Sequence, residues 1–142
     1  MDMTDIFERE NSKIESNLKK LEDSTAHQPE DRSQLWKEVR DRIQRLNQVE
    51  EDNLYALLHT DPRSRKQAEK SRQDVRDLEN LLREMDKTPI TDKRFQYLIE
   101  RLHGEFMSHR DWEKDTLFRL AREVLSPEQA EILARRVKSQ IH

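Results

Sequence analysis

HRDWEKDTLFRLAREVLSPEQAEIL (His109 to Leu133) is the stretch on which the reading of the fold turns. Its last third is a helix start: Ser126 suits an N-cap, Pro127 the first helical position, and Gln129 completes a capping box. The residues before Leu125 therefore end one helix and those after Ser126 begin another, short and amphipathic through Ala130, Leu133 and Val137. Within the longer helix, His109 stands four residues before Glu113, which puts the two side chains on one face. That face also carries Phe95, Leu98, Leu102, Phe106, Trp112, Leu117 and Leu120, and should look into a core. An imidazole and a carboxylate on an apolar stripe raise the question of a metal ligand pair.

Working outward, three more helices with one apolar stripe each precede this one. The first runs from about Asp5 to Asp23, with Thr4 as its expected N-cap and Phe7, Ile14, Leu18 and Leu21 as its stripe. The second runs roughly from Asp31 to Leu58 through Trp36, Val39, Ile43, Leu46, Leu54 and Leu57. After the turn HTDPRS (His59 to Ser64) the third carries Ala68, Val75, Leu78, Leu82 and Met85, and Thr91 or Asp92 then caps the fourth. Stripes spaced alternately three and four residues suit near-antiparallel packing, and the connections are short. The expectation is all-α: an up-down-up-down four-helix bundle plus a short C-terminal helix, one domain over residues 1–142. No strand signal occurs.

Composition agrees. Charged residues make up 40% and hydrophobic ones 32%, with a single glycine, Gly104. This is what helices with one buried stripe and a solvated remainder require. The net charge of −3 is spread evenly, with no basic block, so nucleic acid is not an expected partner. No apolar run approaches membrane-spanning length, and no signal segment opens the chain, so a cytoplasmic protein without a membrane partner is expected. The chain has no cysteine, which removes thiol chemistry, disulfides and Cys-ligated metal sites.

An internal repeat locates a site. EEDNLYALL from Glu50 and EKDTLFRLA from Glu113 both read Glu-x-Asp-x-Leu-aromatic-x-Leu or close to it, so the second helix pair looks like a copy of the first. Aligned, Glu50 matches Glu113 and Leu46 matches His109. In the first helix of each pair, Asn11 corresponds to Arg72, with Ser71 competing for the interior position. Asn11, Glu50, His109 and Glu113 thus form a polar layer within the apolar stripes, and buried polar groups must find partners.

In these features the chain resembles the hemerythrin-like family, the HHE cation-binding domains. The resemblance rests on the two repeated helix pairs, His-x-x-x-Glu on the second helix of a pair, the Leu-aromatic pair after that Glu, and the terminal helix opening with Leu-Ser-Pro-Glu. HRDWEKDTLFRLAREVLSPEQAEIL carries it most fully, and DIFERENSKIESNLKKLE (Asp5 to Glu22) matches the family's opening helix. It implies a site for two iron ions or other cations, held by histidines and bridging carboxylates. Carried over, His109 and Glu113 are an intact pair and Glu50 is retained. The former ligand positions read Asn11, Leu46 and Arg72 (or Ser71), so three of the four histidines are absent. One His and two Glu offer a weak set for iron, which wants several convergent imidazole and carboxylate donors. Arg72 could instead supply the positive charge, pairing with Glu50 or Glu113.

The remaining candidates are weaker. Glu100 and His103 make one Glu-x-x-His, where ferritin-like bundles need two. His27, His59 and His142 fall in loops or at the terminus, and RSRKQAEKSRQDVR (Arg63 to Arg76) mixes acids into a basic face. No nucleophile–base–orienter set appears, so no enzyme is expected. Three functions stay open. One is a non-catalytic binding or regulatory module with no cofactor and an unknown protein partner, its cation site largely lost. Another is a retained cation-binding protein sensing oxygen, nitric oxide or redox state, with iron held by His109, Glu113 and Glu50, assisted by Glu10 or Glu51. The last is a structural homo-oligomer, marked by exposed apolar residues around Ile132, Leu133 and Val137 or at Leu35 and Tyr55.

Overall fold

The computed structural model describes residues 2–141, and every described element is helical. The chain forms α1 (Met3–Asp23), α2 (Pro29–Glu50), π1 (Glu51–Tyr55), α3 (Ala56–Thr60), α4 (Arg65–Asp86), α5 (Lys93–Trp112), π2 (Glu113–Leu117), α6 (Phe118–Val124) and α7 (Pro127–Gln140). Helices α2, π1 and α3 follow one another without a break, as do α5, π2 and α6. The result is four long rods in up-down-up-down order: α1 packs on α2 and α5, and α4 on α3, π1 and α5. Helix α7 folds back across α1, burying Leu133, Val137 and Ile141, and Gln140 accepts a hydrogen bond from Asn53 of π1 at 2.7 Å.

Caps set the ends. Ser126, Pro127 and Gln129 form the expected capping box, and Asp92 caps α5 through the Arg94 N–H. The first helix starts earlier than expected. Asp2 accepts from the Asp5 N–H while the Asp5 side chain accepts from the Asp2 N–H, so two orphan donors are satisfied at once. Thr4, the expected cap, lies inside the first turn and donates its hydroxyl to Asp2. The second helix likewise begins at Pro29, whose fixed φ and missing N–H suit a first turn.

The expected apolar patches are absent. Leu133, Val137 and Tyr55 are buried and Leu35 packs against the core, leaving Ile132 exposed. Trp36 is buried edge-on against Phe95; Trp112 is half-buried, with the Lys70 ammonium 4.4 Å from its ring centroid. His27 is exposed, half-buried His59 lies 3.3 Å from Glu69, and His103 lies 2.9 Å from Glu22. His142 lies outside the described residues.

One buried residue had no warning in the sequence pattern. Arg32, in the first turns of α2, is 2% exposed, and no carboxylate among the described residues pairs with it. Its guanidinium donates to the Ser24 carbonyl and hydroxyl, the Ile90 carbonyl and Gln96, and lies 5.6 Å from the Phe95 ring centroid. Burial pulls its pKa below the ordinary arginine value. The side chain ties the α1–α2 and α4–α5 connections together at one end of the bundle. Arg32→Met keeps the stem but strips these carbonyls of their donors, so it should cost about 2 kcal/mol in a urea titration, at the low end because loops can rewet. An unchanged midpoint would mean that the clamp contributes nothing.

Candidate metal centre

The polar layer sits where the rods leave α-helical winding. An α-helix turns about 100° per residue, so a residue five positions on points about 140° away. Straight α-helix would therefore carry Tyr55 away from Glu50. In π1 the chain underwinds, with the Ala56 N–H bonding to the Glu51 carbonyl, and π2 repeats this from the Phe118 N–H to the Glu113 carbonyl. Single π turns of this kind often mark functional sites. Beyond each one the buried stripe shifts by a residue: Leu58 and Ala121 are buried where Leu57 and Leu120 were expected.

The shift brings Tyr55 inside. Its hydroxyl lies 2.9 Å from Glu50 Oε2, 2.5 Å from Glu113 Oε2 and 3.4 Å from His109 Nε2. His109 Nε2 is also 3.4 Å from Glu113 Oε1. On its other side His109 Nδ1 reaches Asp74 Oδ2 at 3.1 Å, and Lys70 Nζ donates to the same oxygen at 2.9 Å. Glu50, Tyr55 and Glu113 are all but fully buried, and His109 is 7% exposed. A surface groove between α4 and α5, lined in part by Asp74, Ser108 and Trp112, reaches the His109 ring.

Proton counting constrains this cluster. A phenol has one hydrogen, so it can donate to one carboxyl and must accept from the other, which then carries a proton. Burial is the main cause that lifts Glu113 well above the ordinary carboxyl value, with the Glu50 charge adding and His109 opposing. Burial also raises Glu50, while hydrogen bonds from Glu113 and Tyr55 hold it down. Burial drives the Tyr55 phenol up, and the two carboxyls push it further. For His109 burial pulls downward, but Glu113 and Asp74 outweigh it and raise the ring above its ordinary value. Asp74 is lowered chiefly by the hydrogen bond from His109. One proton shared by Glu50 and Glu113 leaves a single negative charge between them beside the His109 ring, and Lys70 faces Asp74 outside.

The other former ligand positions do not add donors. Leu46 is a buried hydrocarbon. Among the described residues nothing partners the Nδ2 of Asn11, 2% exposed, or the Oγ of fully buried Ser71. Ser71, not Arg72, is thus the interior residue of α4. Arg72 instead forms a bidentate pair with Glu51 at 2.7 and 2.8 Å on the half-exposed rim, so it does not neutralise Glu50 or Glu113. The reason is one step of helical register, which turns Arg72 about 100° from Ser71. Glu51 is held by that pair, and Glu10 opens toward α7, so neither joins the cluster.

As arranged, these side chains bond to one another rather than frame a cation. Nitrogen and oxygen ligands hold a first-row ion at about 2.0–2.2 Å from a common centre. Here Glu50, His109 and Glu113 instead approach the Tyr55 oxygen, at 2.9, 3.4 and 2.5 Å. Among the described residues no group of three or more His, Cys, Asp or Glu is arranged to hold a metal ion. Tyr55 and Asp74 were not singled out as site residues from the sequence. The repeat does set an aromatic residue five positions after each Glu, Tyr55 and Phe118, but nothing in it marks the π turn that carries Tyr55 inward. For Asp74 the signal was the three-residue step from Ser71 on one helix face.

No helix among the described residues is long and apolar enough to cross a membrane. Neither the curated proteins nor the solved structures gave a significant match. A family model does match, the hemerythrin HHE cation binding domain, over residues 2–121. That span takes in both helix pairs and the whole Glu50–Tyr55–His109–Glu113 cluster, and the chain belongs to the hemerythrin HHE cation-binding domain family.

Proposed function

We propose that this chain keeps the hemerythrin frame without its cation and works as a non-catalytic binding or regulatory module. A proton shared among carboxyl, phenol and imidazole takes over the metal's task of holding two buried glutamates together. The observation that carries this reading is the Tyr55 hydroxyl at 2.5 Å from Glu113 and 2.9 Å from Glu50. Loss of donors at Asn11, Leu46 and Ser71 supports it. The partner on this reading is a protein rather than a nucleic acid, in keeping with the evenly mixed surface charge.

The test is metal loading. The purified protein is incubated anaerobically with ferrous iron, desalted, and measured for bound metal, visible absorption and thermal melting. Near-zero iron and an unchanged melt are expected. Near-stoichiometric iron with a raised melting temperature would overturn the reading and return the chain to cation-dependent sensing of oxygen, nitric oxide or redox state, since a bound ion stabilises the fold that binds it.

A further inference from the structure

A groove of about 610 Å³ runs between α1 and α7, apart from the tyrosine cluster. That volume falls in the range of small-ligand pockets. Apolar side chains supply much of its surface: Ile6 and Ile141, both buried against the core, and Ala130 and Ala134 of α7. Of the three acids that line it, Asp2 pairs with Arg122 and Glu131 with Arg135, and Glu10 is left over. Glu10 is 7% exposed yet has no hydrogen bond or ion pair among the described residues. Its oxygens face the open groove, where a cation could complete it. The nearby cations do not. Arg9, Lys13 and Lys138 are exposed on the rim and outside ion-pair distance of Glu10, and Arg135 is held by Glu131 at 2.8 Å.

The groove thus offers three things: an unpartnered carboxylate set inside, an apolar lining, and three rim cations that lack acidic partners. A fatty acid would satisfy the rim and lining but leave Glu10 bare. An alkylamine would satisfy Glu10 and the lining but leave the rim unmatched. We propose that the groove binds a short apolar peptide with both termini free. Its ammonium donates to Glu10, its side chains cover Ile6, Ile141 and the two alanines, and its terminal carboxylate meets Lys13 and Lys138. Charge-assisted hydrogen bonds to a carboxylate sheltered by the groove walls give the ammonium end the larger share of affinity. Exposed lysines give the carboxylate end a smaller one.

The test is calorimetric titration of the full chain with trileucine, N-acetyl-trileucine and trileucine amide, repeated on Glu10→Gln. Trileucine should bind. Acetylation and Glu10→Gln should each weaken it about tenfold, and their combination little further, because both remove one contact. Amidation should weaken it about threefold. Absence of trileucine binding at millimolar concentration would overturn the proposal, as would acetylated peptide binding as tightly as free peptide. Octanoate binding that tightens in Glu10→Gln would instead make the groove a site for anionic amphiphiles. The acetylated peptide tests the ammonium contact without any variant, and none of these outcomes depends on whether the tyrosine cluster holds metal.

Discussion

Tyr55→Phe should destabilise the protein by about 3 kcal/mol, far more than an ordinary hydrogen bond contributes. The ring is retained, so packing is nearly unchanged and the loss belongs to one oxygen. That oxygen touches two carboxyls and an imidazole among all but fully buried side chains, and removing it leaves Glu50 and Glu113 facing each other. Each buried group deprived of its partner costs about 1–3 kcal/mol. For a chain of 142 residues this corresponds to a drop in melting temperature of roughly 9 °C. Guanidinium titration of the two proteins, fitted with a common slope, reads it directly. A loss under about 1 kcal/mol would mean that the hydroxyl does not bridge the carboxyls, since bridging requires the larger figure.

Stability should peak in mild acid and fall toward alkaline pH, and Glu113→Gln should flatten that fall. Glu113 and His109 both hold their protons more tightly in the folded chain than their ordinary values of 4.5 and 6.5 allow in the unfolded one. The folded state therefore carries more protons over the range above those values. Its advantage is complete below them and is lost as pH rises through the folded pKa values, at up to about 1.4 kcal/mol per pH unit for each proton. Asp74 has the opposite sign: it is held below its ordinary 3.8, so its contribution is lost only as pH falls into stronger acid. Glutamine at position 113 imitates the protonated acid, donating through its amide and accepting from Tyr55. The variant should melt several degrees above the parent at pH 8.5 and no higher than it at pH 5.5. Parallel melting profiles across that range would show that Glu113 does not carry the proton.

The rods were legible because their stripes repeat at helical spacing and their ends carry Asp, Ser and Pro in capping positions. The pairing of Glu50 with His109 and Glu113 was legible because a repeat aligns them. The centre of the site was not, since every sequence stripe assumed a constant 100° step. One underwound turn moves Tyr55 from the outside to the middle and Leu57 to the margin, and it leaves no compositional mark. Arg72 was misplaced by a single register step that only packing resolves. Arg32 was hidden for another reason: among acids in a first turn an arginine looks solvated, and its partners are backbone carbonyls that no side-chain pattern announces.

Phe118 holds the place in the second copy that Tyr55 holds in the first, and it stacks on Phe7 with ring centroids 5.9 Å apart. The repeat would give the bundle two equivalent halves, but one half ends in a hydroxyl and the other in hydrocarbon. The interior is therefore lopsided, with ionisable groups gathered beside Tyr55 and a dry aromatic stack opposite. A duplicated frame has in this way lost its internal dyad: a proton, or a small polar molecule entering between the rods, finds one address instead of two.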